Sequence, residues 1–196
     1  MHWWSATGAL YRHFSAFGHV RGELGLGDAT FHLDASISLE HGNGGSLAFV
    51  PGEPRIPAAM FHYQLGALSD GTLFALGCFS AAGLEFFRRG VVLLPSGRRI
   101  PIETWELAHA RTATIDDRCG GSMEVPVAYD LTAHGPGLQL RYHGESASPP
   151  FASRGRLTAG AAGLAGSLQV AGARPIEVAG TAYVEHLYRD GDPALP

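Results

Sequence analysis

At 196 residues, 45% of them hydrophobic and 16% charged, the chain has the composition of a folded globular protein and not of a disordered one. Its net charge of −4, with no basic stripe carrying interleaved aromatics, excludes a general nucleic-acid surface. All 14 cations are arginine, which excludes Schiff-base, pyridoxal phosphate and P-loop lysine chemistry outright.

Taken in chain order, alternation and turn residues dominate and long helical periodicity is almost absent. Strands are expected at about Leu10–Phe17, Val20–Leu26 and Thr30–Leu39, followed by a Gly/Pro-rich loop from His41 to Pro57. Ala58–Leu68 sets Met60, His62 and Gln64 against Phe61, Tyr63 and Leu65. Ser69-Asp70-Gly71 is a hairpin turn, because Asp-Gly tolerates the positive φ such turns need, and Thr72–Ser80 returns from it. Leu84–Leu94 and Arg98–Ala110 pair around Pro95-Ser96-Gly97, and Met123–Thr132 and Gly137–Gly144 around His134-Gly135-Pro136. Ser146–Ser153 reads as a Ser/Pro loop, and Leu164–Val170 with Ile176–Tyr188 is the last pair.

About ten short-connected strands predict an all-β, antiparallel sheet that hides its edges by closing into a β-barrel, as one domain over residues 1–196. Such a barrel can enclose a central apolar pocket for one small hydrophobic molecule. A β-sandwich is the competing architecture. One segment occurs twice: Gly22 to Gly42 and Gly166 to Leu187 each begin Gly-x-Leu and pass through a strand, a turn and a second strand. They end in Glu40-His41 and Glu185-His186, which suggests a duplicated hairpin with a polar pair on each copy. Cys78 and Cys119 give no disulfide framework, no run is long and apolar enough for a transmembrane helix, and the first residues lack a signal-peptide pattern. A cytoplasmic protein is the expectation.

Three features resemble the AttH/carotenoid 1,2-hydratase (hydroxyneurosporene synthase) family of lipocalin-like proteins. They are the acid-His-Gly of Glu40-His41-Gly42, the aromatic hairpin from Phe61 to Phe79 with the later Ser96-Gly97 turn, and the closing Gly180-Thr181-Ala182-Tyr183-Val184-Glu185-His186. The chain departs from the family in two ways. Members carry two tandem lipocalin-like domains, and Asn43-Gly44 stands where they continue with Trp-Gly. The resemblance implies a lipocalin-like barrel that takes up an isoprenoid- or polyketide-like molecule. Some members hydrate an alkene, some relatives catalyse pericyclic cyclisation, and others only bind lipids.

The best cluster for chemistry is Glu185, His186 and Tyr183. Residues two apart on a strand share a face, so Tyr183 and Glu185 point one way and His186 the other. An inward Glu185 would be desolvated, its pKa raised, and it could serve as a general acid oriented by Tyr183. Glu40 and His41 are the counterpart on the first copy. Asp34 alternates with His32, Ser36 and Ser38, and it is a candidate acid if that polar face looks inward. Phe61, Tyr63, Phe86 and Trp105 are expected to wall the substrate site. His32, His62, His109 and His143 stand alone on strands, without metal-ligand spacing, and read as surface or hydrogen-bonded residues. No cofactor or metal motif is present.

Two functions follow. One is a cofactor-independent enzyme, a lyase/hydratase or isomerase/cyclase, in which a carboxylic acid protonates an alkene and aromatic faces stabilise the cation. The other is a non-catalytic carrier of a small hydrophobic ligand, whose interior should be uniformly apolar. Self-association into a homo-oligomer through exposed strands is a weaker third reading.

Overall fold

The computed structural model describes residues 2–4, 10–44, 60–81, 84–116, 122–148, 150–152 and 157–188. The described residues contain strands and turns and no helix. The chain divides into two compact units, Met1–Arg55 and Ile56–Pro196.

The first unit holds β1 (His2–Trp4), β2 (Leu10–Leu26) and β3 (Ala29–Gly44) in an antiparallel sheet of that order. β2 and β3 are longer than the sequence pattern suggests. The expected break at Gly18-His19 is absent, because both residues stay paired, Gly18 with Ile37 and His19 with Ser36. Residues His41 to Gly44, expected in a loop, pair in β3, with Gly44 opposite Tyr11, and the remainder of that expected loop lies outside the described residues. Leu26 faces Ala29 across a two-residue turn in which Gly27 takes φ +58°, the left-handed value that turn requires.

The second unit carries β4 (Met60–Leu68), β5 (Leu73–Ala81), β6 (Leu84–Leu93), β7 (Arg99–Ile102), β8 (Thr104–Asp116), β9 (Ser122–Gly135), β10 (Leu138–Ser146), β11 (Phe151–Ala152), β12 (Leu157–Val170) and β13 (Ile176–Tyr188). Its sheet runs β7-β6-β5-β4-β13-β12-β10-β9-β8, with β11 pairing the start of β12. Every pairing is antiparallel. The two outermost strands of this order, β7 and β8, are consecutive in the chain and joined through Glu103 alone. The sheet must therefore curl to bring these strands near one another, and the Glu103 amide hydrogen-bonds the His134 carbonyl at 2.8 Å. The all-β antiparallel expectation holds, in the form of a curled sheet that makes a half-barrel.

Several expected boundaries shift here, with β8 running on to Asp116 and β9 to Gly135. The single strand expected over Arg98–Ala110 is two, split at Glu103. β12 begins at Leu157, seven residues before the expected start, and the Ser/Pro loop contains the short β11. The expected Asp70-Gly71 turn forms, with the Asp70 carboxylate accepting from the Thr72 amide at 3.0 Å and its hydroxyl at 2.9 Å.

One core cluster draws residues from all nine strands of the path, which is possible only on the concave face. The inward positions follow a strict parity. They are even-numbered on β4 (Leu68), β5 (Phe74, Leu76, Cys78), β10, β12 and β13 (Val178, Ala182, Val184), and odd-numbered on β8 and β9. Gly66 and Gly144 are required by close approach. A Cβ on Gly66 would strike the Phe74 ring, and one on Gly144 would strike the ring and hydroxyl of Tyr129. Glycine at these two places lets large rings lie flat across the neighbouring strand.

Candidate functional site

Register assembles the site. Arg88 on β6 stands opposite Cys78 on β5, Cys78 opposite His62 on β4, His62 opposite His186 on β13, and His186 opposite Thr158 on β12. These five residues form one cross-strand row, and their numbers place them all on the inward side. His62 is 2% exposed and His186 is 5% exposed. Their rings meet with Nδ1 to Nδ1 at 2.9 Å. Two Nδ1 atoms at that distance share one proton. One ring then carries Nδ1–H and a bare Nε2, and the other a bare Nδ1 and Nε2–H.

Other strands close around the pair. The curl brings Trp105 of β8 against His62, ring centroids 5.7 Å apart. The Arg88 guanidinium lies 4.5 Å over the Trp105 ring, donates to the Trp105 carbonyl at 3.2 Å, and is held by Glu85 at 2.8 Å. His109, two turns of the pleat beyond Trp105, places its ring edge-on to His186 at 6.2 Å. Gln64, two residues after His62 on the same face, is fully buried and accepts at Oε1 from the Tyr142 hydroxyl. Tyr142 packs in turn on Phe74 at 5.5 Å and edge-to-face on Tyr129 at 6.3 Å.

Burial sets the electrostatics. It is the largest cause holding His62 well below its ordinary 6.5, with the neighbouring charges of His186, His109 and Arg88 acting the same way. Burial, and then His109, lowers His186 to about 3, and burial lowers His109 as well. Both rings of the pair are thus neutral at neutral pH. Burial pushes the Cys78 thiol up to about 11 and also raises Tyr129 and Tyr142, so these groups keep their protons.

Five buried polar atoms of this cluster find no hydrogen-bond partner among the described residues: His62 Nε2, Gln64 Nε2, Trp105 Nε1, His109 Nε2 and Tyr129 Oη. Tyr129 lies beside Gln64 without hydrogen-bonding geometry. Each unmet group costs about 1–3 kcal/mol, so a folding argument alone does not explain a collection of them.

The site expected from sequence is rearranged. His186 joins the inner cluster. Tyr183 and Glu185 lie on the opposite face of β13, with Tyr183 41% exposed and its hydroxyl donating to Glu185 Oε1 at 2.6 Å. The structure therefore does not bring Glu185 together with His186, and an inward general acid at Glu185 is not what this face of β13 offers. Asp34 is exposed on the first unit's hairpin, paired with His19 at 2.5 Å and Arg21 at 3.3 Å. Glu40 and His41 pair Ser15 and Phe14 through their backbones, and their side chains lie outside the described residues, as does that of Phe86. Trp105 lies inside, 3% exposed. Phe61 and Tyr63 stack with centroids 6.2 Å apart on the outward face of β4, not in the inner cluster. Of the lone histidines, His32 and His143 are surface residues paired with Glu23 and Asp130, whereas His62 is buried in the site and His109 stands half-buried beside it. The sequence signal for His62 was the alternation in 60–68, where His62 and Gln64 share a face with Leu68, and for His109 its parity with Trp105 and Leu107 on β8.

The fold and this inner face define a curled, lipocalin-like β-sheet with a polar aromatic cluster inside. No family model matches the chain, and no curated protein matches it in sequence. Solved structures do. Kievitone hydratase from Nectria haematococca superposes with TM-score 0.63 at 18% identity, over 95% of this chain and 55% of that one. A protein assigned to AttH from Nitrosomonas europaea gives TM-score 0.59 at 14% identity, over 94% of this chain and 54% of that one. The chain spans about half the length of the solved structures it matches. At these identities the likeness is one of fold, and at that level it bears out the AttH-type resemblance read in the sequence. Among the described residues no helix is long and apolar enough to cross a membrane.

Proposed function

We propose that the second unit binds a hydrophobic, isoprenoid- or polyketide-like molecule on its inner face and catalyses addition or removal of water, or isomerisation, without a cofactor. The carrying observation is the buried His62–His186 pair, a neutral base and a neutral acid joined by one hydrogen bond. In hydration the bare Nε2 takes a proton from water as its oxygen bonds to one carbon of the double bond. The proton between the rings shifts from one Nδ1 to the other. The second ring's Nε2–H is delivered to the other carbon, so H and OH are added and the pair ends neutral with its tautomers exchanged.

Imidazole replaces the carboxylic acid of the sequence-based mechanism. The buried polar side chains among the described residues are His62, Gln64, Thr72, Thr158 and His186, and no carboxylate is among them. The carrier reading calls for a uniformly apolar interior, and the unmet polar atoms around His62 weigh against it. The shared fold with a hydratase supports the lyase class over the carrier. A reducing, cytoplasmic setting suits the buried free thiol of Cys78.

The test is a mass-spectrometric screen of the purified chain against apolar unsaturated compounds, with His62→Gln in parallel. The expected result is a product heavier by one water, or an isomer of equal mass, that falls at least about a hundredfold in the variant. A ligand recovered unchanged from both proteins would leave a carrier.

A further inference from the structure

The unmet atoms around the histidine pair differ in what they can accept. Trp105 Nε1 is a donor and nothing else. Gln64 is oriented by Tyr142, whose hydroxyl occupies its Oε1, so the unmet Nε2 presents only N–H groups. Trp105 touches His62 through its ring, and Gln64 shares His62's face two positions along β4. These two side chains therefore ask for an acceptor, while the unmet Tyr129 hydroxyl beside Gln64 can turn either way.

The surroundings also restrict its charge. The rings at the pair are neutral, and no buried carboxylate lies among the described residues. The nearest cation, Arg88, is already held by Glu85 and by the Trp105 carbonyl. An ionised ligand group would lose its hydration and enter without a free counter-charge. A ligand hydroxyl would donate to the bare imidazole Nε2 that the proton transfer needs open, whereas a carbonyl oxygen brings two lone pairs and no donor.

From the unmet N–H groups of Trp105 and Gln64 beside the His62–His186 pair, we infer that this inner face selects apolar molecules carrying an uncharged carbonyl oxygen next to the reacting carbons. This rests on the catalytic reading of the same site and narrows it from apolar unsaturated compounds to conjugated ketones.

Calorimetric titration of the full chain with three size-matched probes tests it: the neutral ketone benzylideneacetone, the hydrocarbon 1-phenyl-1-butene and the anion cinnamate. The ketone is expected to bind at least about tenfold tighter than either of the others. Trp105→Phe keeps an aromatic ring and removes the N–H, and Gln64→Met keeps the length and removes the amide. Each is expected to narrow the ketone preference about three- to tenfold, with circular dichroism confirming the fold. Equal binding of ketone and hydrocarbon, a preference untouched by both substitutions, or no binding of the ketone to the folded chain would each overturn the inference. The two failures are separable. A ketone preference lost in the variants, with no turnover of any compound, sinks the enzyme and keeps the inference. Turnover of a plain hydrocarbon polyene with no ketone preference does the reverse.

Discussion

The inner face of the second unit has two regions built on the same strands. Toward Leu68, Phe74, Val92 and Val178 it is apolar apart from Thr72, whose hydroxyl is met by Asp70, and Phe74 and Val92 are fully buried. Toward His62, Cys78, Arg88 and His186, along β4, β5, β6 and β13, it is polar and leaves hydrogen-bonding atoms unmet. One alternation of side chains serves both, so the difference is chemical and not architectural. The apolar region contributes burial, at about 1.5–3 kcal/mol for each large side chain, and asks for nothing in return. The polar region spends some of that stability to keep uncharged donors and acceptors dry. Stability and chemistry are thus divided along the strands of one sheet.

Substitutions on each side should separate the two. His62→Gln is expected to lower turnover about 10²–10⁴-fold, since it removes the imidazole that takes up and passes on the proton. Its unfolding midpoint should move little, because glutamine still hydrogen-bonds, and urea denaturation checks this. Phe74→Ala should do the opposite, costing about 3–5 kcal/mol of stability in the same experiment while leaving the chemistry of the surviving folded fraction intact. Equal loss of both properties in both variants would erase the distinction.

The pH dependence sharpens it. In the folded chain the His62 and His186 pKa values are lowered, the latter to about 3, while the unfolded chain binds protons near the ordinary 6.5. The unfolded state therefore holds more protons between these values. The stability contributed by the neutral pair is intact above 6.5 and is lost as pH falls from there toward about 3. The slope is up to about 1.4 kcal/mol per pH unit for each ring. Urea midpoints measured from about pH 7.5 to about pH 5 should fall with pH in the native chain and fall less steeply in His62→Gln.

The smallest effect concerns the hairpin that carries His186. Ala171, in the turn between β12 and β13, takes φ +52°, where a Cβ is strained. Ala171→Gly should stabilise the chain by about 1 kcal/mol, read from the same urea transition, with no change in turnover.

What could be read from the sequence was what is local. The Asp70-Gly71 and Ser96-Gly97 turns follow from residue chemistry, and Gly71 and Gly97 take the positive φ expected of them. The duplicated segment proved to be two antiparallel hairpins, β2–β3 and β12–β13. The Glu185-His186 dipeptide was visible too, and alternation required its members to face opposite ways. Nothing local tells which face is inner. Glutamate looked like the chemical group because carboxylates are common acids, yet parity with Val184 and Ala182 turns histidine inward. The partner of His186 could not be found by spacing at all, since His62 lies 124 residues away and meets it only through the β4–β13 register. The Ala/Gly-rich start of β12 escaped for another reason. Small residues have weak strand propensity, and pairing with β11 and β13 overrides it.

The most direct measurement is ¹⁵N NMR of the chain labelled in its histidine rings, recorded at about pH 6. His62 and His186 are expected both to be neutral there, one protonated at Nδ1 and the other at Nε2, with a hydrogen bond between their Nδ1 atoms. Titration of either ring near its ordinary value, or two rings both protonated at Nε2 alone, would contradict this.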